Sequence, residues 1–137
     1  MAGTVDLLPH RAPWLLVDRV VARAEGTVEA HKLLTASDPL LADGTLPELF
    51  LLEALAQTAA CLQTEALGEH RGLLVAAQRF EVHERPRAGE TLRLKAVREA
   101  VLGRLVRFTG EARVDERLLA SGQLTFAIET IDAGGAQ

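Results

Sequence analysis

Glu53 and Gln57 are the residues of this chain whose types and spacing suit chemistry. They sit inside Pro47-Glu-Leu-Phe-Leu-Leu-Glu-Ala-Leu-Ala-Gln-Thr-Ala-Ala-Cys-Leu62. That stretch is long enough for a helix and apolar on nearly every side, which marks a buried helix rather than a surface one. A carboxylate there is costly unless it is paired, hydrogen-bonded or protonated. Gln57 follows Glu53 by four residues, so the two side chains stack on one helix face. Such a pair suits acid–base work, because perturbed acids gather at functional sites; the alternative is a structural acid satisfied by backbone groups.

The elements that must hold this pair can be read from turn residues and periodicity. Thr45-Leu-Pro-Glu48 has the form of a capping box, with Pro47 in the first turn, and Gly68 is the expected stop after Leu67. Before the helix, strands are predicted over Leu15–Ala24 and Thr27–Leu34, joined at Glu25-Gly26, followed by a loop from Thr35 to Leu46. After it the period becomes two. Leu92, Leu94 and Ala96 alternate with Arg93 and Lys95. Val106, Phe108, Gly110, Ala112 and Val114 form a second inward set, and Leu118, Ala120, Gly122, Leu124, Phe126 and Ile128 a third. Gly103 and Asp115-Glu116 mark tight antiparallel connections. The order is two strands, one buried helix and about four strands. A helix apolar all round needs a sheet wrapped about it. The small inward residues Gly110, Ala112, Ala120 and Gly122 would let that sheet approach closely.

Composition narrows the classes. At 137 residues the chain is long enough for one domain with a real core, predicted over 1–131, with 132–137 a flexible tail. Its net charge is −4, without a basic tail, with few aromatics and no Tyr. Nucleic acid is therefore not an expected partner. One Cys allows no internal disulfide, and the four His lack metal-ligand spacing, so no metal is expected. The start lacks a secretory signal's charged and apolar regions, and Glu53, Gln57 and Thr58 interrupt the apolar helix. The expectation is a cytoplasmic protein with no membrane partner.

Three motifs then carry a resemblance. Leu7-Leu-Pro-His-Arg-Ala-Pro-Trp-Leu-Leu-Val-Asp-Arg-Val20 resembles the opening of the FabZ-type 3-hydroxyacyl-acyl-carrier-protein dehydratases. Leu52-Glu-Ala-Leu-Ala-Gln57 is similar to the start of their central helix. Arg79-Phe-Glu-Val82 with Pro86-Arg-Ala-Gly-Glu90 resembles the strand and turn after it. Each motif is weak alone, but together, in order, they cover almost the whole chain. The resemblance implies an α+β hotdog fold: an antiparallel sheet around one long central helix, usually a homodimer or higher homo-oligomer. It also implies a dehydratase of 3-hydroxyacyl thioesters carried on acyl carrier protein or coenzyme A, with no cofactor. One departure stands out. Ungapped alignment from Pro47 to Glu53 puts Pro39 where those enzymes carry a catalytic His, and Ser37-Asp-Pro-Leu-Leu-Ala-Asp-Gly44 resembles the ApeP-like branch instead.

Under that resemblance the chemistry needs a base for the α-proton, an acid for the leaving hydroxyl and a donor for the thioester carbonyl. Glu53 can be base or acid, with Gln57 orienting it. The helix-start N–H groups near Glu48 and Leu49 are natural carbonyl donors. His10 is the candidate second catalytic group, the alternative being a structural His anchoring the N-terminal segment. Asp38 and Asp43 are weaker options in a turn-rich loop. Trp14 and Phe80 are candidate pocket residues, and Cys61 a small buried one. Arg93, Arg98, Arg107 and Arg113 could meet an acidic carrier, or could be scattered charge on a solvated face. A hotdog thioesterase, with a helix carboxylate attacking the thioester or activating water, and a non-catalytic partner subunit are the competing readings.

Overall fold

The computed structural model of the chain describes Leu8, Arg11 and residues 14–67 and 70–130. Its elements are β1 (Arg19–Ala24), β2 (Thr27–Leu33), α1 (Glu48–Leu67), β3 (His70–Val82), β4 (Thr91–Leu102), β5 (Leu105–Val114) and β6 (Arg117–Thr130). The six strands form one antiparallel sheet in the order β1-β2-β4-β5-β6-β3. Three hairpins turn where expected, at residues that adopt positive φ: Gly26 at 75°, Gly103 at 60° and Asp115 at 52°. The chain leaving α1 crosses to the far edge, so β3 pairs only with β6 and, like β1, lies at a sheet edge.

Period-two alternation delivers one sheet face to the helix. Val28, Ala30, Leu92, Leu94, Ala96, Phe108, Ala112, Ala120 and Leu124 are all buried beneath it. Gly110 works as expected: a Cβ there would meet both Leu55 Cδ atoms at 3.4 Å, so the missing side chain lets helix and sheet touch. Gly122 has a different neighbour. Its space is taken by Phe80, whose Cα lies 3.0 Å from where a Cβ would stand. β3 is irregular there, with a register shift between Gln78 and Glu81 and Arg79 at φ 54°.

Three local expectations are corrected. Leu15 to Asp18 are not in the sheet, and β1 begins at Arg19, because the Leu16 N–H bonds a helix side chain instead. The capping box is not made: the Thr45 hydroxyl donates to Ala42 O, and Phe50 N–H closes on Pro47 O at 3.0 Å. In β6 the inward residue is Leu119 rather than Leu118. A register shift after Ala112 pairs Leu118 with outward Arg113 and sends Leu119 into the core.

The helix is also less enclosed than its composition suggests. Leu51, Ala54, Leu55, Gln57, Thr58, Ala59 and Cys61 are buried. Glu48 and Leu49 are exposed, Leu49 by 70 %, and Leu52 and Glu53 are half-buried. An uncovered stripe therefore runs along the first turns, beside the edge where β3 exposes Leu73, Leu74 and Val75. Among the described residues no helix is long and apolar enough to cross a membrane.

Candidate active site

Gln57 organises the site. Its side chain is only 1 % exposed, so each of its polar atoms needs a partner. Oε1 accepts from Leu16 N–H at 2.7 Å. Nε2 donates to Trp14 O at 2.8 Å and to Glu53 Oε2 at 2.9 Å. One donor on one side and two acceptors on the other admit a single amide orientation. The i, i+4 pair read from the sequence is thus real, and it also does something the sequence did not show: it ties the segment before β1 to the helix. That segment becomes a wall. A cleft of about 350 Å³ opens beside it, lined by Trp14, Leu16, Leu49, Phe50, Leu52, Glu53 and Leu74. Trp14 and Phe50 pack with ring centroids 6.4 Å apart. Among the described residues Glu53 is the one ionisable group that lines the cleft, and the others are apolar.

The candidates divide clearly. Glu53, Leu49 and Trp14 share the cleft, and Gln57 sits directly behind it. Glu48 opens the helix but is exposed and does not line the cleft. The first turn leaves the Glu48 and Leu49 N–H groups without an intrahelical carbonyl. Phe80 does not join the site, because it lies against Gly122 at the other end of β3 from Leu74. His10 lies outside the described residues. Asp38 is a turn former: its Oδ1 accepts Leu40 N–H at 3.0 Å, and Lys32 lies 3.7 Å from its carboxylate. Asp43 takes φ 52° in the next turn. Neither these acids nor His31 and His83 line the cleft. Cys61 is sealed in the core, where burial pushes its thiol up to about 11 against a smaller opposing pull from Arg23. Leu16, Phe50, Leu52 and Leu74 were missed as lining residues. An apolar side chain looks the same in sequence whether it faces a cleft or a core.

One central helix packed against a six-stranded antiparallel sheet matches a known architecture. The model of the ApeP-like family, described as ApeP dehydratase, matches residues 3–133. The chain belongs to the ApeP-like dehydratase family. It is 36% identical over 135 residues to the 3-hydroxyacyl-[acyl-carrier-protein] dehydratase FabZ of Streptococcus pneumoniae (strain Hungary19A-6), covering 92% of this chain and 95% of that protein. Its fold is similar to that of the dehydratase heterocomplex ApeI:P from Xenorhabdus doucetiae, with a TM-score of 0.84 at 20% identity, over 95% of this chain and 93% of that one. A hypothetical thioesterase with coenzyme A from Streptococcus pneumoniae TIGR4 shares the fold at a TM-score of 0.70 and 12% identity, over 82% and 85% of the two chains. The hotdog architecture expected from the sequence is therefore the fold of this ApeP-like protein. Among its described residues no group of His, Cys, Asp and Glu is arranged to hold a metal.

Proposed function

We propose that this ApeP-like chain removes water from a 3-hydroxyacyl thioester carried on acyl carrier protein or coenzyme A, with Glu53 as one of the acid–base groups. The observation that carries the reading is the fixed Gln57–Glu53 pair at the apolar cleft. A carboxylate held by a donor behind it meets a substrate without an orientational search. Trp14, Leu16, Phe50 and Leu52 suit an acyl chain. Glu48 and Leu49 precede Glu53 by five and four residues, which at 1.5 Å per residue is about 6–8 Å along the axis. That spacing lets their N–H groups hold the thioester oxygen while Glu53 works at the neighbouring carbons.

The second acid–base group in this proposal is His10, acting in its own chain or across a dimer. The dimer forms along β3, whose exposed Leu73, Leu74 and Val75 lie beside the uncovered helix stripe; pairing would cover an open strand edge. Pro39, standing where FabZ-type enzymes carry their His, favours a second reading in which a different subunit supplies that group.

Mass spectrometry of 3-hydroxybutyryl and longer carrier-bound substrates separates the readings. Loss of water by the protein alone, abolished in Glu53→Gln with melting nearly unchanged and reduced in His10→Asn, supports the proposal. Hydrolysis supports a thioesterase. Turnover only after adding a second dehydratase subunit supports the partner reading. Light scattering showing a monomer at micromolar concentration would count against the dimer.

A further inference from the structure

Four basic residues stand in register across four adjacent strands on the sheet face that points away from α1. Arg19 of β1 pairs with His31 of β2, His31 with Arg93 of β4, and Arg93 with Arg113 of β5. Their strand neighbours Val20, Ala30, Leu92, Leu94, Ala112 and Val114 are buried under the helix, so alternation turns the four outward. Like charges directly opposite each other destabilise a sheet. Only Arg113 is locally compensated, by Glu111 at 2.9 Å. Arg19, Arg93 and Lys95 make no ion pair among the described residues. The next row, Glu29, Lys95 and Glu111, borders a polar depression of about 270 Å³ shared with Arg93 and Arg113. A chain of net charge −4 thus keeps two arginines unpaired among the described residues, Arg19 and Arg93, on one face, with the His31 imidazole between them and Arg113 beside them.

We propose that this row is a docking surface for an acidic α-helix of a partner protein, laid across the strands with one carboxylate per turn over three to four turns. Spacing selects the helix. Neighbouring strands are about 4.8 Å apart, and a helical turn rises about 5.4 Å, so carboxylates one turn apart stay near register over the row. Alternate residues of a β-strand, about 6.8 Å apart, drift out after one step. The flanking Glu29 and Glu111 repel a broad polyanion such as nucleic acid, but leave room for a narrow acidic stripe. The surface lies on the opposite side of the sheet from Glu53, so it does not depend on the reading of the cleft.

The test uses two helical peptides of identical composition. One carries Glu at i, i+4, i+7 and i+11; in the other the same glutamates are spread around the helix. Calorimetric titration should show the first binding, with amide shifts in β1, β2, β4 and β5, and the second binding at least fivefold more weakly. Arg93→Glu and Arg19→Glu should each weaken the first peptide roughly tenfold, about 1.4 kcal/mol. Arg93→Glu should also melt at or above the parent's Tm, since it removes like-charge repulsion. Equal affinity for both peptides, tighter binding of a short DNA duplex, or a lowered Tm in Arg93→Glu would each overturn the proposal.

Discussion

Replacing Gln57 with Leu asks whether the site is held together as argued. Leu has nearly the same volume, so it leaves no large cavity, and the change isolates the three hydrogen bonds. The Leu16 N–H suffers most. Leu16 is 1 % exposed, and its amide loses its only partner among the described residues. A stranded buried donor costs about 1–3 kcal/mol. The Trp14 carbonyl belongs to a residue that is 57 % exposed, and Glu53 borders the cleft, so water can replace their lost donors at much smaller cost. Burying an apolar side chain in place of an amide returns part of the loss. The net is about 2 kcal/mol, which for a chain of this size lowers Tm by roughly 6–10 °C. The second effect is on chemistry. Without the 2.9 Å bond from Nε2, Glu53 loses a contact that aims it, and kcat should fall roughly 10- to 100-fold with KM little changed. Calorimetric melts and dehydration rates on the same preparations check both halves. A Gln57→Leu protein that melts with the parent refutes the clamp. One that melts early but turns over at the parental rate refutes the orienting role and leaves Gln57 purely structural.

Two further perturbations test the packing. Gly122→Ala should destabilise by about 1–3 kcal/mol, because its Cβ meets the Phe80 backbone at 3.0 Å, whereas at Gly110→Ala the nearest atoms are the movable Leu55 methyls at 3.4 Å, and the change should be nearly neutral once the stiffer unfolded chain is counted. Thermal melts that rank the two variants the other way would show that helix–sheet approach, not the Phe80 contact, is the tight point. Cys61 gives a pH test. Its thiol holds the proton more tightly folded than unfolded, about 11 against 9.0, so the stability it contributes is complete below pH 9 and drains away as pH rises towards 11, by roughly 2–3 kcal/mol. Urea unfolding across that range should show Cys61→Ala losing less stability than the parent; parallel curves would mean that the thiol is not sealed.

What the sequence made legible was set by local spacing. Turns at Gly26, Gly103 and Asp115 need positive φ or a tight reversal, and the residues there advertise it. The inward sets of β4 and β5 follow from a period of two, and the Glu53–Gln57 contact follows from helix geometry alone. What was illegible depended on competition between distant partners. Thr45 has the right neighbours for a cap, yet its hydroxyl goes to Ala42 O, because the loop is also stitched through Leu46 N–H to Pro86 O and Ala88 N–H to Gly44 O. Leu118 and Leu119 are interchangeable by hydropathy, and only the register shift opposite Ala112 chooses between them. Phe80 looks like a pocket aromatic until Gly122, forty-two residues away in sequence, provides the space for it.

The same reasoning explains why the functional pair sits where it does. A carboxylate in the middle of α1, between Ala54 and Cys61, would face a closed core and would have to be neutral or matched. Placed at Glu53, it lies where the sheet stops covering the helix, so the cleft meets its solvation while Gln57, one turn deeper, remains in the core. Gln57 can afford that depth because it is uncharged and all its polar groups are used. The division of labour is forced by dielectric: the neutral amide carries the orienting contact inward, and the ionisable group stays at the wet end. Exchanging the two residues would bury the charge against Leu16 and Trp14, leaving it the Leu16 N–H and the amide now at position 53 as donors, while the Trp14 carbonyl would lose its donor and face the carboxylate. The helix would then trade a fixed, accessible carboxylate for a buried one whose burial drives it towards the neutral form.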